Sequence, residues 1–141
     1  MSRNTATQQE KHIAFKVAFD TVTQCMDAKN YIGAYVIAFS LIEDRIGAMF
    51  VVWHKAINGI DPSDKSMRGS FAAKVGNLNK SGDISNEDAS SLLEEAKLRN
   101  QLLHAAMWNL SVFSEPVVQR AIALTRMVER LRRAQKKKYG Q

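Results

Sequence analysis

The sequence predicts an all-α protein, a single-domain helical bundle of four main helices plus one short helix. Three observations predict it. Apolar residues recur at three- and four-residue spacings rather than in strict alternation. Two prolines in 141 residues leave long segments uninterrupted. That length builds one core and is too short for two ordinary domains, so 1–141 reads as one unit.

The first helix is expected from Gln8 to Asp27, with Phe15, Phe19, Val22 and Met26 on its inner side. Cys25 falls on that side and reads as a small buried hydrophobe. Asn30 can cap the second helix, which carries apolar residues nearly all round from Tyr31 to Ile57. A helix with no polar face is buried on every side, so this one belongs at the centre of the fold. Asn58-Gly59-Ile60-Asp61-Pro62-Ser63 supplies the chemistry of a stop and a turn. A short helix follows around Ser70–Leu78, then a turn at Lys80-Ser81-Gly82-Asp83. Ser85 with Asp88 resembles a capping box for a helix running to about Met107. Trp108–Phe113 has no clear period. Ser114-Glu115-Pro116 opens the last helix, with an inner seam of Val117, Ala121, Leu124, Val128 and Leu131.

The net charge of +6 is unevenly placed. Residues 1–115 hold twelve basic and thirteen acidic side chains, whereas 116–141 hold eight basic ones and Glu129 alone. The basic helix end and tail, about 126–141, carry a stripe of Arg126, Arg130, Arg133 and Lys137. Part of this excess complements the helix dipole. The rest suits a polyanion, and RNA backbone contact is the preferred reading. A single cysteine excludes an internal disulfide and fits a reducing cytoplasm. The N-terminus lacks the apolar core of a signal peptide, and Glu43-Asp44-Arg45 breaks the most apolar region, which argues against a membrane span. His12 and His54 lack partners at ligand spacing, so neither a metal nor a cofactor is expected. Trp53 and Trp108 read as core or subunit-interface residues.

Arg99-Asn100, three residues, then His104 is the most informative stretch. Arg99 falls on the apolar seam Ala89, Leu92, Ala96, Leu103 and Ala106. A guanidinium there needs an anionic or hydrogen-bonding partner: an internal carboxylate, a neighbouring subunit or a phosphate. A fork, an amide and an imidazole on one helix flank could hold a phosphodiester and move a proton. The structural alternative is an ion pair from Arg99 to Glu43, Asp44 or Glu95, with His104 as a satisfied core histidine. Glu43 and Asp44 are adjacent on a helix and point about 100° apart, so they cannot work as one catalytic pair. A supporting role for one of them is preferred.

Arg99-Asn100-x-x-x-His104, late in an all-α domain of this size, resembles the HEPN superfamily (higher eukaryotes and prokaryotes nucleotide-binding). Ser40-Leu41-Ile42-Glu43-Asp44-Arg45 is similar to the acidic stretch the family's second helix often carries, and Trp108 shortly after the histidine is also familiar. The resemblance spans roughly residues 10–133. It implies a homodimer in which two copies of the motif line one composite cleft, and a metal-independent endoribonuclease of toxin–antitoxin, phage-defence or RNA-processing type. Arg99 would bind the scissile phosphate, His104 would act as general base or acid, and Asn100 would orient one of them. Products would carry a 2′,3′-cyclic phosphate and a 5′-OH, and DNA would survive. A cognate antitoxin is one partner this implies. Ala106 stands where one toxin subgroup has a tyrosine that is nucleotidylated, so that mode of silencing is not expected. A non-catalytic nucleic-acid-binding or assembly module is the alternative.

Overall fold

The computed structural model describes residues 8–140, and every regular element among them is helical. The order is α1 (Gln8–Asp27), α2 (Tyr31–Asn58), α3 (Asp64–Met67), α4 (Phe71–Lys80), α5 (Asn86–Ala106), a 3₁₀ turn (Leu110–Val112) and α6 (Glu115–Lys138).

Helix α2 is the axle. It packs against α1, α4 and α6, while α5 packs on α4 and on the 3₁₀ turn. Tyr35, Phe39, Ile42, Ile46 and Met49 are buried along α2, and Val22, Val75, Leu78, Leu92, Val118 and Val128 close over them. Each fully buried aliphatic side chain contributes about 1.5–3 kcal/mol. Burial all round fails at Asp44, over the last turn from Lys55 to Asn58, and along a strip beside α5, where Val36, Ser40 and Glu43 succeed one another at helical spacing and stay exposed.

The helix ends follow local chemistry. Asn30 Oδ1 accepts the Gly33 amide at 3.0 Å at the start of α2. Gly59 ends the same helix at φ 76°, its N–H donating to Lys55 O at 2.8 Å. That left-handed conformation strains any side chain, so glycine fits it. Ser63, Ser70 and Ser85 cap α3, α4 and α5 by accepting an amide three residues on.

Several expectations need correction. The single turn of α3 was not foreseen, because four residues are too few to show a period. Cys25 is half-buried at the core's edge. Ser114 precedes α6 without a side-chain capping bond, so Pro116 and Glu115 start that helix. The buried face of α6 is Val118, Ala121, Ile122, Thr125, Val128 and Gln135, rotated from the expected seam, with Val117, Leu124 and Leu131 at its margin. Two polar residues cause the rotation. Thr125 donates to Ala38 O at 3.2 Å and to Ala121 O at 2.9 Å. Gln135 Nε2 donates to Met49 O and to Asp83 Oδ2, both at 2.9 Å. Asp83 also accepts from Lys138 and from the Tyr139 hydroxyl, so it clasps the end of α6.

One charged group lies deep in the bundle. Arg45 is 3% exposed, stacks over the Phe15 ring at 4.2 Å and lies 3.2 Å from Glu129. That approach is ionic contact without an aligned hydrogen bond.

Ile42 is fully buried at the centre of α2. Replacing it with alanine should lower the unfolding free energy by about 2–5 kcal/mol. A reduced urea midpoint at unchanged slope would be the readout.

Candidate functional site

Arg99 sits where α5 faces the open strip of α2. Leu92 and Glu95 direct the inner face of α5 toward the core, and Arg99 is the next inward position. Its Nη1 donates to Glu43 Oε1 at 2.9 Å. Its guanidinium carbon lies 4.3 Å from the Phe39 ring centroid, and Nε reaches Asn100 Oδ1 at 3.4 Å. Of the three carboxylates considered for Arg99, the structure selects Glu43.

This ion pair orients more than it stabilises. Arg99 is 25% and Glu43 45% exposed, and pairs of that kind contribute about 0–1 kcal/mol. An arginine has five N–H donors. Nη2 has no acceptor among the described residues, so part of the fork stays available. The groove beside it, about 260 Å³, is lined by Phe39, Ser40, Glu43, Arg99, Asn100 and Leu103, with Tyr35 at its base. Asp44 faces elsewhere, into a cleft between α1 and α2.

Glu95 is taken by other partners. It is 2% exposed, and Arg120 Nε donates to its two oxygens at 3.2 and 2.9 Å. Tyr35 OH donates to it at 3.3 Å. Burial, then the Glu95 charge, pushes the Tyr35 phenol well above its ordinary range. Burying an ionised carboxylate is costly unless it is paired and hydrogen-bonded. Arg120 and Tyr35 meet that requirement and leave Arg99 to the groove. Sequence reasoning missed both. The signal was present: Glu95 shares the inner face with Leu92 and must find a donor.

His104 lies outside this groove. It is exposed, and its ring makes no hydrogen bond among the described residues. Five residues on a helix turn the side chain by about 140°, so Arg99 and His104 leave α5 in divergent directions. Arg99 and Asn100 come together; His104 stands apart, on neither the core nor the Arg99 groove. The end of α5 and the chain just after it carry exposed apolar side chains: Leu103, Met107, Trp108 and Leu110 are 42%, 72%, 81% and 65% exposed. Trp108 is therefore not a core residue, whereas Trp53 packs 5.5 Å from Phe50 at the core's edge.

The basic helix divides in two. Arg120 binds Glu95, Arg132 lies 3.8 Å from Glu129, and Lys138 binds Asp83. Arg126, Arg130, Arg133 and Lys137 are exposed, and none has a carboxylate partner among the described residues.

Among the described residues, no three His, Cys, Asp or Glu side chains group as a metal site, and no helix is long and apolar enough to cross a membrane. No family model, curated protein or solved structure matches this chain.

The Tyr35–Glu95 contact makes a pH prediction. The folded phenol keeps its proton above the ordinary value of 10, where the unfolded chain releases it. The folded state then binds more protons, so stability falls as pH rises above about 10. Tyr35→Phe should lose that share of the alkaline decline. Urea midpoints of parent and variant between neutral and strongly alkaline pH would show it.

Proposed function

We propose that this chain is a HEPN-like endoribonuclease that works as a homodimer and cleaves RNA without metal. The carrying observation is Arg99: a half-buried guanidinium, aimed by Glu43 and Phe39 beside Asn100, with donors to spare over an open groove. An orientable arginine of this kind suits a phosphodiester. The unpaired basic stripe on α6 supports an RNA substrate, and the all-α plan agrees with the resemblance.

In the reaction, O2′ attacks the adjacent phosphorus and the bond from phosphorus to O5′ breaks. A 2′,3′-cyclic phosphate and a 5′-OH result. Arg99 stabilises the charge that builds on the non-bridging oxygens. An imidazole exchanges protons near neutral pH, so His104 takes the O2′ proton or supplies one to O5′. Asn100 contributes an amide at the groove's edge. Because Arg99 and His104 diverge within one chain, a working pair needs the α5 ends of two copies side by side. The exposed Leu103, Met107, Trp108 and Leu110 at the end of α5 and just after it support that contact, since Trp and Met are enriched in interfaces.

The Arg99–Glu43 ion pair and the partnerless His104 ring favour a second reading, a dimeric RNA-binding module without cleavage. One experiment separates the two. The parent protein, Arg99→Ala and His104→Ala are each incubated with total RNA in excess EDTA. The parent should cut, leaving 2′,3′-cyclic phosphate ends, and each variant should lose about 100-fold or more. Binding that weakens steeply with salt while RNA stays whole would establish the module instead.

The dimer has its own test. The parent should sediment as a dimer at micromolar concentration, and Trp108→Asp as a monomer with unchanged helix content. A parent that is monomeric throughout would remove the composite site.

A further inference from the structure

A second groove, about 340 Å³, runs between α1 and α6 and is lined by Phe15, Phe19, Arg126, Glu129, Arg130 and Arg133. Two aromatic rings thus meet three of the unpaired arginines. The contacts form a chain of stacked π and cationic groups. Arg45 lies 4.2 Å from the Phe15 centroid, Phe15 and Phe19 stack with centroids 6.2 Å apart, and Arg126 lies 5.3 Å from the Phe19 centroid. Arg45 is buried at one end, and Arg126 is exposed at the other. Glu129 does not cancel the positive charge, because Arg45 and Arg132 already engage it.

We propose that this groove binds an unpaired nucleotide of single-stranded RNA, its base stacked on Phe19 and Arg126 and its flanking phosphates held by Arg130 and Arg133. The inference deepens the ribonuclease reading, on which it rests, by naming the form of the substrate. Stacking on rings and guanidinium planes needs an exposed base face, which a duplex keeps inside its own stack. The volume suits one nucleotide, at the low end of the roughly 300–1,000 Å³ of small-molecule sites. Arg130 and Arg133 follow Arg126 at helical spacing, so phosphate contacts extend from the base site along α6.

The groove neighbours a larger cleft. Phe15 lines both this groove and the larger cleft between α1 and α2, about 810 Å³. Glu43 lines both that cleft and the Arg99 groove. The cleft between them also carries Glu10 and Asp44, so the binding proposed here is confined to the α1–α6 groove.

The test measures binding to probes that this chemistry cannot cut. A fluorescent 2′-O-methyl RNA strand, its blunt duplex and a deoxy strand of the same sequence are titrated with the full chain in EDTA. The single strand should bind at least about tenfold tighter than the duplex. Phe19→Leu and Arg126→Gln should each weaken it by about fivefold to a hundredfold. Phe19→Leu keeps an apolar side chain in place, and unchanged thermal unfolding would show that the fold persists. Arg130→Gln should reduce the slope of log affinity against log salt by about one. The deoxy strand should bind within a few-fold, since only base faces and phosphates are touched. Equal affinity for strand and duplex would overturn the proposal, as would parent-like binding by both Phe19→Leu and Arg126→Gln. RNA cleavage by a parent that shows no strand preference would sink this proposal alone. Strand-selective binding with no cleavage would sink the ribonuclease reading alone.

Discussion

The fold depends on covering α2. That helix is apolar on nearly every side, and no arrangement of the chain is stable while its surface meets water. α1, α4 and α6 cover three flanks directly. The strip from Val36 through Ser40 to Glu43 stays exposed and offers polar groups beside α5. An arginine can approach the axle there without being stripped of all water. Arg99 occupies that place, braced by Phe39 from below and Glu43 from the side. The site is thus a consequence of where α2 stops being apolar.

Burial also explains why two carboxylates close to one groove behave differently. Glu95 has almost no exposure and is committed to Arg120 and Tyr35. Its removal from water makes those bonds obligatory. Glu43 keeps contact with solvent, so its hold on Arg99 is weak and can be shared. The phosphate-binding role proposed for Arg99 needs an anchor of the second kind. A fully buried carboxylate would hold the guanidinium too firmly for an incoming anion to compete.

Much of this was legible in the sequence, and what was missed has physical causes. The long helices were readable because their apolar periods run for five or more turns and their caps are local. Asn30, Ser70 and Ser85 each act within three residues of themselves. The face of α6 was misjudged because periodicity ranks residues by hydrophobicity. Thr125 and Gln135 are buried through hydrogen bonds to α2 carbonyls, a long-range fact that no window along α6 contains. Arg45 was read as a break in an apolar segment, yet it is buried because Phe15 and Glu129 arrive from other helices. At the site, Arg99 needed a partner and Glu43 was among those considered, since both follow from chain position. The expectation that His104 shares a flank with Arg99 fails, because a five-residue spacing turns the two side chains about 140° apart, and the exposed apolar end of α5 required knowing that the following chain leaves Trp108 uncovered.

The charge asymmetry of the chain takes on a sharper meaning in three dimensions. Eight basic residues in the last segment could all have been helix-dipole complements or partners for the acidic majority upstream. Instead the fold sorts them. Those facing α5, Glu129 and the loop at Asp83 meet carboxylates, tying α6 to α5 through Arg120 and to the loop through Lys138. Those on the α1 side meet aromatic rings or solvent. Clustered like charges repel, and aromatic rings compensate only weakly for a missing anion. The stripe of Arg126, Arg130, Arg133 and Lys137 therefore gathers exposed like charges on one face, with no carboxylate partner among the described residues. In the proposed function, a polyanion laid along α6 neutralises that charge and releases counterions as it binds.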